Sequence, residues 1–170
     1  MFVDNENQFT TGGTAGQTLN GFAVATTALG NVIDSGPLGG QNTPNTNAGR
    51  DFGTGYPAWL YLLFIATVAP TTGTIDIQLV SSAAAALTSP NVMLDLTGGA
   101  LTGASTKFAA GSAFRVAMPR AGIGGTTGWL RYIGINFIVA TSALTGGTVN
   151  AFLSRDIQDN LLYAAGFTVS

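Results

Sequence analysis

The sequence predicts an all-β protein, an antiparallel sandwich of about eight strands. Short runs rich in Val, Ile, Thr and aromatic residues alternate with Gly, Thr, Ala and Asn about every ten residues, the spacing typical of sandwiches and barrels. No segment of helical length has an apolar period of 3.6, although residues 82–87 could form one short helical turn. These two observations argue against a helical or mixed domain.

The individual strands are predicted by apolar residues that recur at every second position. In the clearest case Ile75, Ile77 and Leu79 alternate with polar residues, as a half-buried strand requires. The same pattern predicts strands at 92–96, 114–118, 129–141 and 149–153, the last after a Gly146-Gly147 turn, and further strands are predicted at 19–28 and 161–169.

The segment from Trp59 to Val68 is apolar at nearly every position, which predicts a strand covered on both faces. Its second face therefore needs a partner. With this strand the total is about eight, and eight antiparallel strands in two sheets is the number in a jelly roll. The fold expected is an antiparallel jelly-roll sandwich with long loops and an extended N-terminal arm.

The expected organisation is an arm at residues 1–17 followed by a single jelly-roll domain at residues 18–170. Residues 36–49 and 98–112 are rich in Gly and small or polar residues and predict long loops, which together with the arm are the expected contact surfaces. The glycine-rich residues 122–128 lack the lysine of a phosphate-binding loop and predict a hairpin connection.

The charge content is unusually low. Charged residues make up 8% of the 170 residues, with a net charge of −2, against about 25% in soluble domains. So few charges protect a surface poorly against association, and we infer that much of it is covered by partners. One lysine and five arginines cannot form the basic stripe that nucleic-acid binding needs, and no apolar run approaches the ~20 residues of a membrane span.

The chain contains no histidine and no cysteine, so the commonest general base, nucleophile and metal ligands are missing. The remaining carboxylate pair, Asp76 and Asp95, lies on outward strand positions and is interpreted as solvated or edge-blunting charge. Asp156 and Asp159 have the spacing of no defined calcium loop. The sequence therefore predicts no catalytic residues, no cofactor, no metal and no enzymatic activity.

Two Arg-Asp dipeptides stand out among so few charges. Arg50-Asp51 precedes the most apolar strand, and Arg155-Asp156 follows the strand predicted at 149–153. Because charge gives an interface its specificity, these four residues and Lys107 are the candidate protein-interface residues. For the dipeptides the alternative is an ion pair within the chain that ties two loops together.

Several short strings resemble the jelly-roll capsid cement, or decoration, proteins of tailed bacteriophages. They are Asn31-Val32-Ile33-Asp34-Ser35-Gly36, the run from Gly49 to Gly55, Met118-Pro119-Arg120, Trp129-Leu130-Arg131-Tyr132 and Leu153-Ser154-Arg155-Asp156. The resemblance spans roughly residues 30–160 and contains no catalytic signature.

The resemblance implies a structural virion protein that binds the outer surface of the mature shell at seams between major capsid subunits and stabilises it. The expected partners are the major capsid protein and further copies of the chain, as a dimer or a trimer, with no nucleic acid and no membrane. The alternative is a carbohydrate-binding or receptor-binding β-sandwich in which Tyr56, Trp59 and Trp129 stack on sugars.

Overall fold

The protein is an all-β sandwich in which two antiparallel sheets pack face to face. A computed structural model describes residues 8–35, 58–119 and 129–154. The strands among them are Gln17–Thr18 (β1), Thr26–Ala28 (β2), Ile33–Asp34 (β3), Trp59–Ala69 (β4), Thr74–Ser82 (β5), Asn91–Asp95 (β6), Leu101–Thr102 (β7), Ala113–Ala117 (β8), Tyr132–Ala140 (β9) and Gly146–Ser154 (β10).

Sheet 1 has the order β1-β10-β4-β8 and sheet 2 the order β2-β9-β5-β6, with β3 beside β9 and β7 beside β5. Leaving out β3 and β7, which lie off these two rows, the first strand pairs with the last, the second with the last but one, the third with the sixth and the fourth with the fifth. The pairing is thus nested, and every strand pair described is antiparallel.

Alternation along the strands forms the core, as predicted. Leu60, Leu62 and Phe64 of β4 face Ile75, Ile77 and Leu79 of β5 across the sandwich, and all six are fully buried. Aromatic rings fill the core at its two sides: Phe22 meets Phe137 edge to face at 5.8 Å, and Phe64 meets Phe108 at 5.5 Å.

The predicted strand at 19–28 is wrong over most of its length, since only Thr26–Ala28 form a strand. Leu19 and Phe22 are buried three residues apart, and Gly21 has a φ of 91°. The Phe22 N–H donates to Leu19 O, which closes a turn between the sheets. Apolar residues spaced by three mark this turn, whereas a half-buried strand needs a spacing of two.

Two predicted connections are also wrong. Gly146 and Gly147 begin β10 and do not form the turn; Gly147 has a φ of 115° and lies at a shift in the pairing with β4, the signature of a β-bulge. The second is the hairpin predicted at 122–128: β8 belongs to sheet 1 and β9 to sheet 2, so these two strands do not pair as a hairpin. Residues 122–128 themselves lie outside the described residues.

Residues 8–17 of the predicted arm lie against sheet 1. Phe9 is fully buried, its N–H donates to Ala151 O at 2.8 Å, and Gln8 forms a bridge with Phe152. The predicted loop at 98–112 contains β7 and a 3₁₀ turn at Thr106–Phe108. Residues 36–49 and the strand predicted at 161–169 lie outside the described residues.

Ser81 points into the core opposite Ile133, and its hydroxyl, fully buried, has no hydrogen-bond partner among the described residues. Neighbouring Ser82 is equally buried, but its hydroxyl donates to Thr88 O and accepts from Ala84 N–H. A buried hydroxyl without a partner costs free energy, whereas one with partners contributes it.

Ser81→Ala is therefore expected to raise the free energy of unfolding by about 1 kcal/mol, and Ser82→Ala to lower it by about 1 kcal/mol. Urea unfolding followed by tryptophan fluorescence measures both. Equal destabilisation by the two substitutions would mean that Ser81 has a polar partner after all.

Candidate functional site

Of the predicted interface residues, Lys107 lies within the described residues. Lys107 is exposed and lies in the 3₁₀ turn Thr106–Phe108. The turn begins after Ser105, whose hydroxyl accepts a hydrogen bond from the Lys107 N–H. Arg50, Asp51, Arg155 and Asp156 lie outside the described residues, so neither the interface role nor the intrachain ion pair is tested for them.

The outer surface of sheet 1 is apolar where a sandwich is normally polar. The odd-numbered residues of β4 point away from the core, and three of them are Tyr61, Leu63 and Ile65. Phe152 of β10 lies opposite Tyr61 and therefore on the same side. We call these four residues the apolar face. The outward side of β4 is therefore apolar as well, but the predicted cover on both faces is wrong at Ile65, which is 41% exposed.

The apolar face is built around an aromatic stack. The rings of Tyr61 and Phe152 are 5.5 Å apart and within 5° of parallel. Tyr61 is buried, Leu63 and Phe152 are half-buried, and Ile65 is 41% exposed. A Cβ on Gly16 would lie 2.7 Å from Ile65 Cδ1, so the glycine lets the isoleucine lie flat across β10.

A polar network borders the apolar face on one side and attaches residues 8–10 to sheet 1. The Gln8 amide donates to Thr10 Oγ1 at 3.0 Å and to Asn150 Oδ1 at 3.0 Å. Thr10 Oγ1 donates to Asn150 Oδ1 at 2.8 Å, and Asn31 Nδ2 donates to Thr10 O. Because Gln8 and Thr10 are buried, these bonds hold the strand edge beside Phe152 in one place.

The two outer surfaces differ in charge. On the outward positions of β4, β8 and β10, the single charged residue within the described ranges is Arg115. The outer surface of sheet 2 instead carries Asp76 and Asp95, with the polar Gln78 and Asn136 between its strands. Sheet 1 thus presents the outer surface with fewer charges.

The structure brings Asp76 and Asp95 together through one hydroxyl. Thr97 Oγ1 lies 2.5 Å from Asp76 Oδ1 and 3.0 Å from Asp95 Oδ1, and it also accepts the Ile77 N–H. The second oxygen of Asp76 accepts from the Gln78 amide at 2.8 Å. The two carboxylates are therefore tied into local structure, as a structural role requires.

Asp95 also accepts the backbone N–H groups of Thr97 and Gly98, at 3.0 and 2.8 Å. Burial alone would raise the pKa of this carboxyl, but the hydrogen bonds from Gly98 and Thr97 outweigh it and hold the pKa below the ordinary 3.8. The charged form is thus the one that the fold favours.

A pKa lowered by folding means that Asp95 stabilises the protein above the ordinary pKa and loses this effect as the pH falls through the folded value. We expect Asp95→Asn to melt at a lower temperature than the parent at pH 7. The difference should shrink below pH 3.8. Thermal unfolding at pH 7 and pH 3 measures this, and an equal difference at both would contradict it.

Three of the strings that carry the resemblance meet at one end of the sandwich, which we call the Arg131 end. The Arg131 guanidinium donates to both Asp34 oxygens, at 2.8 and 2.7 Å, which raises the pKa of Arg131. Trp129 Nε1 donates to Pro119 O at 3.0 Å. The ion pair is exposed, so it contributes little to the stability of the fold; it fixes the Arg131 side chain against Asp34.

The tryptophans proposed as sugar platforms are placed differently. Trp129 packs against the core and its indole N–H is bonded to Pro119, while Trp59 is half-buried at the start of β4. Tyr56 lies outside the described residues. Trp129 is thus held by contacts within the chain.

Within residues 8–35, 58–119 and 129–154, no group of three or more Asp or Glu side chains could hold a metal ion. Those residues also include no helix long and apolar enough to cross a membrane.

Sequence reasoning recognised a second apolar face on β4 but missed its aromatic centre. Phe152 lies in a strand predicted from Val149, Ala151 and Leu153, and it falls on the alternate, outward positions. The sequence does show an apolar residue at an outward position of this strand. That residue indicates an apolar surface only once β10 is known to pair with β4, which places Phe152 beside Tyr61.

Residues 16–153 match the model of a protein family that carries the description Bbp16. No curated protein matches the chain significantly. The matched range begins just before β1 and ends one residue before the end of β10, so it covers both sheets and includes the whole apolar face.

Proposed function

This chain belongs to the Bbp16 family, and from that premise we propose that it is a structural virion protein. It is a capsid cement, or decoration, protein of a tailed bacteriophage that binds the outer surface of the mature shell at seams between major capsid subunits. Its work is to stabilise that shell by contact, without catalysis, cofactor, nucleic acid or membrane.

The observation that carries the proposal is the apolar face. A sheet exposed to water normally has polar outward residues. Here the outward surface is formed by the exposed Ile65 and the half-buried Leu63 and Phe152, which lie around the buried Tyr61, with Arg115 as the charged neighbour. An apolar patch with polar neighbours marks a protein interaction surface. Sparse charge over the whole chain supports the same inference.

The nested strand pairing supports the finer assignment of a jelly roll. With β3 and β7 set aside, the first strand pairs with the last, the second with the last but one, the third with the sixth and the fourth with the fifth. Two interlocked Greek keys produce this pairing. We therefore propose the jelly-roll topology as the scaffold that holds the apolar face rigid.

Stabilisation by such a protein follows from mass action. A ligand that binds the assembled shell and not its separated subunits shifts the equilibrium toward assembly. About 800 Å² of surface on this chain is enough for specific attachment, and contacts with two shell subunits at once add avidity. A sheet that contacts two subunits at once fits both only when they are correctly spaced.

Cosedimentation with mature shells of the same phage tests the function. The expected result is saturable binding and a rise in the temperature at which loaded shells come apart. Absence from purified virions together with no binding to shells would refute it. Binding to glycans instead of shells would point to the alternative sandwich function.

A further inference from the structure

An open groove of about 420 Å³ lies beside β8, at the opposite end of the sandwich from Arg131. Leu96 and Phe114 give it apolar walls, and Lys107 gives it a positive charge; Thr106, Ser112 and Ala113 complete the lining. We call it the Lys107 groove. Ser112 Oγ donates to Thr106 O at 2.8 Å, which holds its shape.

The groove runs along a sheet edge. Among the described residues β8 pairs with β4 alone, as the outermost strand of sheet 1. Met118 N–H donates to Ala58 O, and Phe64 N–H donates to Ser112 O. The backbone N–H and C=O groups of the even-numbered residues of β8 are therefore directed toward β4. By the alternation of an antiparallel ladder, Ala113 and Ala117 direct their N–H and C=O groups away from β4. An extended peptide can add to such an edge.

The chemistry of the groove selects an occupant that is apolar and acidic. The first residues of this chain have that composition: Met1, Phe2 and Val3 are followed closely by Asp4 and Glu6. Apolar side chains match the walls formed by Leu96 and Phe114, and the carboxylates match Lys107.

Chain direction assigns that segment to a second copy. Gln8 pairs antiparallel with Phe152, two residues before β10 ends at Ser154. At Gln8 the chain therefore enters the described sandwich from the Arg131 end, which lies opposite the Lys107 groove of the same chain.

We propose that residues 1–7 of one copy bind the Lys107 groove of a second copy and extend its sheet 1 as a strand beside β8. This inference rests on the proposed function in one respect: on a shell, the contact would join neighbouring copies of the protein. The contact itself is a property of the purified protein and is measured without shells.

Engineered cysteines test it cleanly, because the chain has none of its own. Val3→Cys is mixed under mild oxidation with Ala113→Cys carrying a size tag, or with tagged Val92→Cys as the matched control on sheet 2, where Val92 is 48% exposed. The expected result is a mixed disulfide dimer with the Ala113 variant and little with the Val92 variant. Equal yields, or none, would overturn the proposal.

Charge exchange gives an independent readout by sedimentation velocity. Lys107→Glu, and separately Asp4→Lys with Glu6→Lys, are each expected to weaken self-association by about tenfold. Combining all three should restore it, since the charges are again opposite. Failure of the combination to restore association would refute the contact. Loss of association by Lys107→Glu with shell binding retained would leave the proposed function intact.

Discussion

Ile65→Asp is expected to reduce binding to mature shells by about a hundredfold or more while the sandwich remains folded. Ile65 lies on the apolar face and is 41% exposed, so the loss of strand propensity and of its partial burial lowers the free energy of unfolding by about 1 to 2 kcal/mol, which leaves the sandwich folded. In a docked interface the same carboxylate would be buried without a partner, which costs several kcal/mol. Cosedimentation over a range of protein concentrations measures the loss.

Val92→Asp is the matched control. Val92 is also β-branched, also in a strand and 48% exposed, but it lies on the outer surface of sheet 2. Both variants carry the same added charge, so a general electrostatic effect would weaken both equally. If Val92→Asp binds shells like the wild type and Ile65→Asp does not, the protein docks on the shell through the apolar face. The reverse result would move docking to sheet 2.

Alternation predicted the long strands because each has one face in the core. Thr74–Ser82 and Tyr132–Ala140 pair along nine residues, and their inward side chains are those with the period of two. The continuous apolar run in β4 was equally informative, because a strand buried on one side needs no apolar residues on the other. Its outward residues predicted a partner before any neighbour was known.

Features that depend on distant contacts were not predictable. Gly134 reads as a weak point in a strand, yet a Cβ there would lie 2.3 Å from Leu87 Cδ1, so the glycine makes room for a leucine that folds over sheet 2. Likewise Asp76 and Asp95 meet only because Thr97 returns between them. No local pattern encodes these contacts, because Leu87 is far from Gly134 in the sequence and Thr97 is 21 residues from Asp76.

The candidate interface was predicted as a set of charges, whereas the described surface that stands out is apolar. Charges are easy to locate in a sequence that has few, and Lys107 does line a groove. Apolar outward positions are hidden among apolar inward ones until the register is known. In the sequence Phe152 and Tyr61 look like two separate core residues. The pairing of β10 with β4 places them side by side on the outward side of sheet 1.

Phe9→Ala is expected to lower the free energy of unfolding by about 3 to 5 kcal/mol, the largest stability effect that we predict. The sequence places Phe9 in a polar, glycine-rich stretch, but its side chain is fully buried in the core. Its N–H donates to Ala151 O, and its carbonyl accepts the Asn31 N–H. Truncation therefore leaves a cavity between β10 and the segment that follows β2, which chemical denaturation will detect.

Two further substitutions test whether Phe9 is part of the core or belongs to a loosely attached arm. Val24→Ala, at a position 55% exposed, should change stability by less than about 0.5 kcal/mol. Phe9→Leu, which keeps most of the buried volume, should cost less than Phe9→Ala. If Phe9→Ala were as mild as Val24→Ala, residues 8–10 would have to detach without cost. The Gln8, Thr10 and Asn150 network argues against that, because detachment would expose or orphan each of its buried hydrogen bonds.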